Sequence, residues 1–214
     1  MKKYLAVLLC LSIFFIPCFT ACNSKPNLNN HVVEARLNLF EGENQGLKLS
    51  CAYGYTLSEQ KNYAMTFKLF TDASTEITYS VSVSLDVMHT ETFTLSPITH
   101  TLTATIYGKL LSQKSFDVIL SYGSEKITIS MQSIIPDNVL DVQSALNSLA
   151  SSQPSLINSF VDEYGTLCVD VCIRIIVREN KAYYYVALTD KSGGVKALLL
   201  DGITADVLAV RDIF

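Results

Sequence analysis

From Ile77 to Val87 the chain alternates without a slip: Ile77, Tyr79, Val81, Val83, Leu85 and Val87 stand between Thr78, Ser80, Ser82, Ser84 and Asp86. Successive side chains of a strand point to opposite faces, so this run specifies a half-buried strand with one dry face and one wet one. The same period recurs near Val33 to Leu39, Leu47 to Tyr53, Met65 to Phe70, Phe93 to Leu95, Leu102 to Tyr107, Phe116 to Tyr122 and Ile127 to Met131. About eight short strands at spacings of roughly 8 to 12 residues predict a sandwich or barrel over residues 31–133.

In size and strand count this stretch resembles an immunoglobulin-like sandwich at the level of architecture. The chain has no Trp, and Cys51 has no second Cys between residues 31 and 133, so the Cys-Trp-Cys core signature is absent. Cys51 shares an alternate set with Leu47, Leu49 and Tyr53, which predicts a buried free thiol acting as a small hydrophobe.

After Pro136 the period changes. Val139, Val142, Leu146 and Leu149 recur at three and four, and Asp137 is placed to cap a helix over Asn138 to Ala150. Leu156, Ile157, Phe160, Val161 and Tyr164 supply a second helical face, with Ser152 and Pro154 at its start and Gly165 at its end. Alternation returns from Leu167 to Arg178, followed by strands at Tyr183 to Leu188, Val195 to Leu200 and Asp206 to Val210. In the first of these, Tyr184 faces away from Tyr183 and Tyr185, so one side of that strand is core and the other is either an aromatic contact surface or covered by the first domain or the helices. The expected class is therefore α+β overall: an all-β, immunoglobulin-like sandwich over residues 31–133, then a small helices-plus-antiparallel-sheet domain over residues 134–214. The last hairpin, YYYVALTDKSGG with VKALLLDGITADVLA, resembles the ending of PepSY-type domains through Asp201, Thr204, Val207 and Leu208, with Ala205 where that family has Gly. The resemblance implies an envelope or propeptide module associated with inhibiting or assisting secreted peptidases.

The first residues carry an address. Lys2 and Lys3 precede an uncharged run from Tyr4 to Ala21, the plan of a secretory signal over residues 1–21. The run ends in Phe19, Thr20, Ala21 and Cys22, which resembles the lipobox of bacterial lipoproteins, with Phe19 where the family usually has Leu. The resemblance implies cleavage before Cys22, a diacylglyceryl thioether on its sulfur with acyl chains such as palmitate, an amino group left free or acylated, and attachment to the extracytoplasmic face of a membrane. One acyl chain holds marginally and two or more hold stably. Pro17 makes Cys18 a poor alternative, and Cys10 comes too early to leave a full apolar region before it. An uncleaved membrane helix is the competing reading, since the run approaches the ~20 residues a span needs, but Pro17 interrupts it. Residues 22–30 then read as the lipidated cysteine and a polar tether.

Of the 16 basic side chains Lys2 and Lys3 leave with the signal, so 14 face 20 acidic ones and the mature chain is −6. That balance excludes nucleic acid, which needs clustered Lys and Arg. The chain contains no HExxH, GxSxG or P-loop, and KSGGVK at Lys191 to Lys196 joins two strands as a hairpin turn. His31 falls in the tether, and His89 and His100 fall at strand ends, where solvated loop histidines are the default. Cys168 and Cys172 stand about 13 Å apart along a strand, too far to bond to each other. They read as reduced thiols, or as disulfide partners of a third cysteine, and Asp170 between them makes no metal site without ligands from elsewhere. The expected site is the lipidation site Cys22, with no catalytic, cofactor or metal residues. The expected function is a non-enzymatic binding or inhibitory module of the cell envelope, its sandwich near the membrane, its partners the bilayer and an envelope protein or small ligand; the alternatives are a surface spacer and an envelope hydrolase.

Overall fold

The computed structural model describes residues 26–71, 77–96, 101–110 and 114–213. The signal run, Cys22 and His100 lie outside the described residues. A 3-10 turn (Leu28–His31) leads into β1 (Val32–Asn44), β2 (Leu47–Leu57), β3 (Lys61–Phe70), β4 (Tyr79–Ser84), β5 (Met88–Thr92), β6 (Thr94–Leu95), β7 (Leu102–Tyr107), β8 (Ser115–Tyr122) and β9 (Glu125–Ser133). Helices α1 (Val142–Ser152) and α2 (Pro154–Asn158) precede β10 (Val169–Arg178), β11 (Lys181–Asp190), β12 (Val195–Asp201) and β13 (Val207–Ile213).

Strands take 60% of the chain and helices 11%, which overturns the expected α+β class: the protein is mostly β, a nearly closed, barrel-like sheet. Two physical facts defeat the sequence reading. The helical period after Pro136 is real but brief, because α2 stops after five residues, where the Ser159 hydroxyl donates back to the Leu156 carbonyl and Val161 turns to bridge Leu167. The last four strands also do not form a sheet of their own, because β10 joins β1 in parallel, Val32 opposite Val171 and Arg36 opposite Arg174. A local period reports the face of one element and carries nothing about its neighbours.

Strand β1 is the hub. From Glu34 to Asn44 it pairs with β2 on one edge. On the other edge its first part pairs with β10 and its last part with β9, at Phe40 opposite Ser133 and Glu41 opposite Gln132. From β2 the sheet runs through β3 and β7 to β6, and from β9 through β8 and β4 to β5, so the two wings curl toward each other. Between them lies one core, with Phe40, Leu49, Cys51, Met65, Phe67, Val81, Val118, Leu120, Ile129 and Met131 among its buried residues. A second core lies under the helices, where Ala145, Leu146, Leu149 and Ile157 meet Val171, Ile173, Val186, Leu188, Leu198 and Leu200.

Both cores sit on the same side of the sheet, and a bulge in β1 makes this possible. Between Arg36 and Asn38 the pairing with β2 slips by one, from Gly54 to Tyr53, so Leu37 is an extra residue. Without it, strict alternation from Ala35, which is in the helix-covered core, would turn Phe40 out of the barrel. At the slip the two backbones approach so closely that a methyl group on Gly54 would overlap the carbonyl oxygen of Ala35.

Two local expectations are corrected as well. The alternation of Ile77 to Val87 crosses a turn: β4 ends at Ser84, the Leu85 amide donates to the Val87 carbonyl, and Asp86 accepts from the Val87 amide, so the chain reverses into β5. Val87 is 60% exposed despite its place in the pattern. The cap of α1 is Asp141, which accepts from the Ser144 amide at 2.9 Å and from its hydroxyl at 2.7 Å, whereas Asp137 pairs with Lys114. Between them the chain turns, with the Val139 amide donating to the Pro136 carbonyl, and Leu140 is tied outside the helix, its amide donating to the Gly202 carbonyl and its carbonyl accepting the Tyr184 hydroxyl at 2.6 Å.

Gly54→Ala is expected to lower the stability of the folded chain by about 3 kcal/mol, since neither backbone can retreat without breaking the ladder; a urea midpoint within experimental error of the parent would refute the close-packed bulge. Tyr184 makes a pH-dependent contribution. Burial pushes its phenol up to about 12, whereas an unfolded tyrosine ionises near 10. Between those values the unfolded state holds fewer protons, so stability falls as pH rises from about 10 to about 12. Tyr184→Phe is expected to cost about 1 kcal/mol at neutral pH through the lost hydrogen bond, and to flatten the alkaline decline. Urea midpoints taken from pH 8 to pH 11 would show an unchanged decline if the phenol had no such role.

Candidate functional site

The alternation that fills the cores also writes the opposite, outer face of the sheet. On β10 it places Asp170, Cys172, Arg174 and Arg178 outward, and on β1 it places Glu34 and Arg36 outward. Parallel pairing then sets Glu34 opposite Cys172 and Arg36 opposite Arg174. Tyr185 of β11 lies opposite Arg174, so two guanidinium groups, a carboxylate and a phenol share one patch of sheet.

These residues line a groove of about 540 Å³ whose apolar lining includes Leu39, Ala52 and Ile176. Glu34 Oε1 accepts from Arg174 Nη2 at 3.0 Å and from Arg36 Nε at 3.4 Å, so one oxygen holds both cations. Arg174 is 54% exposed, while the Arg36 and Glu34 side chains are 23% and 20% exposed. The Arg36 Nη1 atom is out of reach of solvent and has no hydrogen-bond partner among the described residues. A buried charged donor left unpaired costs a few kcal/mol, and such groups are rare in folded proteins. The groove therefore combines apolar walls with the half-exposed guanidinium of Arg174, which is the chemistry of a ligand site.

A smaller cavity of about 230 Å³ lies at the start of β10, lined by His31, Cys168, Asp170, Thr189 and Lys191 among others. Cys168 Sγ donates to Asp162 Oδ2 at 3.4 Å. The Lys191 ammonium is held above its usual range, chiefly by a hydrogen bond with Cys168, and amides led by that of Thr166 hold the Asp162 carboxyl below its own. Cys172 stands away on the outer face, its thiol pushed up first by burial and then by Glu34. Cys51 is 1% exposed, and burial pushes its thiol far above the usual range. All three cysteines are free. Among the described residues no three His, Cys, Asp or Glu side chains are grouped to hold a metal ion.

The other residues singled out in the sequence are turn architecture. His89 Nε2 lies 3.1 Å from Asp86 Oδ1 in the β4–β5 turn, and that bond leads the effects holding the Asp86 carboxyl low. In KSGGVK, Asp190 accepts from the Ser192 and Gly194 amides, which closes the β11–β12 hairpin. Asp201 accepts from the Ile203 and Thr204 amides, and Ala205 follows at φ 60°, in the left-handed region that favours glycine. Of the three adjacent tyrosines, Tyr184 enters the core and Tyr185 lines the groove. The pairing of Arg36 with Arg174 is the feature that sequence reading missed; its one local sign was the pair of arginines on the wet face of β10.

No protein-family model matches the chain, and no curated protein matches it.

Exposure and charge rank the thiols. Iodoacetamide at neutral pH is expected to label Cys168 and Cys172 in the folded protein and to reach Cys51 only after denaturation. Peptide mass mapping would contradict the assigned burial if Cys51 were labelled as fast as the other two.

Proposed function

We propose that the chain is an exported, lipid-anchored binding module that receives its ligand on the outer face of the continuous sheet. The observation that carries the binding half is the groove along β1 and β10, where the half-exposed Arg174 guanidinium stands among apolar walls. The anchoring half is supported by the basic start, the uncharged run and the Phe19–Cys22 ending, in which lipid on Cys22 fixes the protein to the extracytoplasmic face of a membrane. The mature charge of −6 disfavours adhesion to anionic headgroups, so the anchor supplies the membrane contact. An inhibitory role toward an envelope peptidase is the narrower form of this reading, and it rests on the likeness of Asp201, Thr204, Val207 and Leu208 to the PepSY-type ending.

Mass spectrometry of the protein extracted from its native membrane, after crosslinking, tests both halves. The expected N-terminal peptide begins at Cys22 and carries a diacylglyceryl group, and a crosslinker placed at Thr66 beside the groove captures a reproducible neighbour or small molecule. A peptide that begins at Met1 would remove the anchor, and capture no greater than from a position on the exposed Tyr107 would remove the binding face.

A further inference from the structure

We infer that the groove takes a small organic acid, one carboxylate on an apolar body, with the exposed Arg174 gripping the carboxylate and Arg36 adding its charge beside it. This rests on the binding-module reading and deepens it to a ligand class. Arginine presents five N–H donors in a rigid fork that matches a carboxylate. In this groove the bonds to Glu34 use Nε of Arg36 and Nη2 of Arg174, and the Arg174 side chain is 54% exposed, so a ligand carboxylate can reach its fork.

Charge narrows the class further. Two guanidinium groups against the Glu34 carboxylate leave one positive charge in the groove, on a chain whose mature balance is −6. One negative charge completes the neutralisation, a doubly charged phosphate ester exceeds it, and an amine is repelled. The remaining walls are suited to hydrocarbon: Leu39, Ala52 and Ile176 are apolar, and Tyr185 offers a ring. A space of about 540 Å³ falls within the range of small-molecule sites and accommodates an acid with a short aliphatic or aromatic body.

The test uses the full lipidated chain in lipid nanodiscs and isothermal titration with 4-phenylbutyrate, 4-phenylbutanol, 4-phenylbutylamine and 4-phenylbutyl phosphate, with the heat from empty nanodiscs subtracted. The carboxylate is expected to bind saturably at one per chain, at least tenfold tighter than each of the other three. Arg174→Gln is expected to weaken it by tenfold or more, Glu34→Gln to tighten it, and Arg178→Gln, on the same face but outside the groove lining, to leave it unchanged. Because the comparison of ligands is made on the unaltered protein, it stands even if a variant misfolds. Equal binding of the alcohol would overturn the anion assignment and leave a binding groove in place. Tighter binding of the phosphate ester would overturn the single-charge argument, and no saturable heat from any of the four would overturn the inference. The crosslinking experiment decides separately whether the face binds anything at all.

Discussion

Strand β1 shares its hydrogen bonds among three neighbours. One edge belongs entirely to β2, and the other passes from β10 to β9 between Arg36 and Phe40, with the Ile134 amide reaching the Leu39 carbonyl in the gap. Two sheets that meet along one strand must diverge where its edge changes partner, and the extra residue at Leu37 sits at that point. A bulge sharpens the local twist as well as restoring the alternation. The helix-covered core, the barrel core and the outer groove are thus three consequences of one local arrangement. The close approach of Gly54 to Ala35 is the contact on which that arrangement closes.

The two faces of this sheet obey opposite rules. Inward, the described residues bury no polar or charged residue, and the Tyr184 hydroxyl is matched by a carbonyl. Outward, Glu34 and Arg36 are held largely away from water in an ionic cluster whose matching is incomplete. Partly buried ion pairs of this kind add little to stability, since desolvation offsets their attraction and well-packed apolar side chains would do as well or better. The cluster is therefore poorly accounted for as a fold-stabilising device, and a recognition role accounts for it directly. Its setting on three paired strands fixes its geometry more firmly than a loop would.

What the sequence disclosed follows the range over which each signal acts. Strand positions were legible because alternation is a property of neighbours, as was the split between Tyr184 and its two flanking tyrosines. The end of β4 was not, because Leu85 and Val87 keep the pattern while Asp86 reverses the chain through hydrogen bonds that a hydropathy period does not register. The helix start was displaced because Asp137 and Asp141 both fit a cap, and the choice between them rests on Gly202 and Tyr184 taking the backbone hydrogen bonds of Leu140. The class itself was missed because one parallel pairing, between residues more than a hundred positions apart, decides whether the last four strands stand alone. The groove needs that same pairing: Glu34 and Arg174 are 140 positions apart, and no pattern within either strand brings them together.

The start of the folded chain bears on how the groove is presented. Leu28 is buried in the helix-covered core, and Asn29 donates to Asn147 of α1 at 3.1 Å, so the chain is tied down well before β1 begins. If lipid is carried on Cys22, six residue steps separate the anchor from Leu28, and at 3.6 Å or less per step they reach roughly 20 Å. The tether is then shorter than a polar stretch running to residue 30 would allow, and it leaves from the helix-covered half of the molecule and not from the barrel. That half, with β1 and β10, is drawn toward the bilayer, and the groove lies on the sheet face opposite the helices. On the proposed reading, a short anchor attached near the core beneath the groove restricts the orientations of that face, and a small acid would be met at a site held within a few nanometres of the membrane surface.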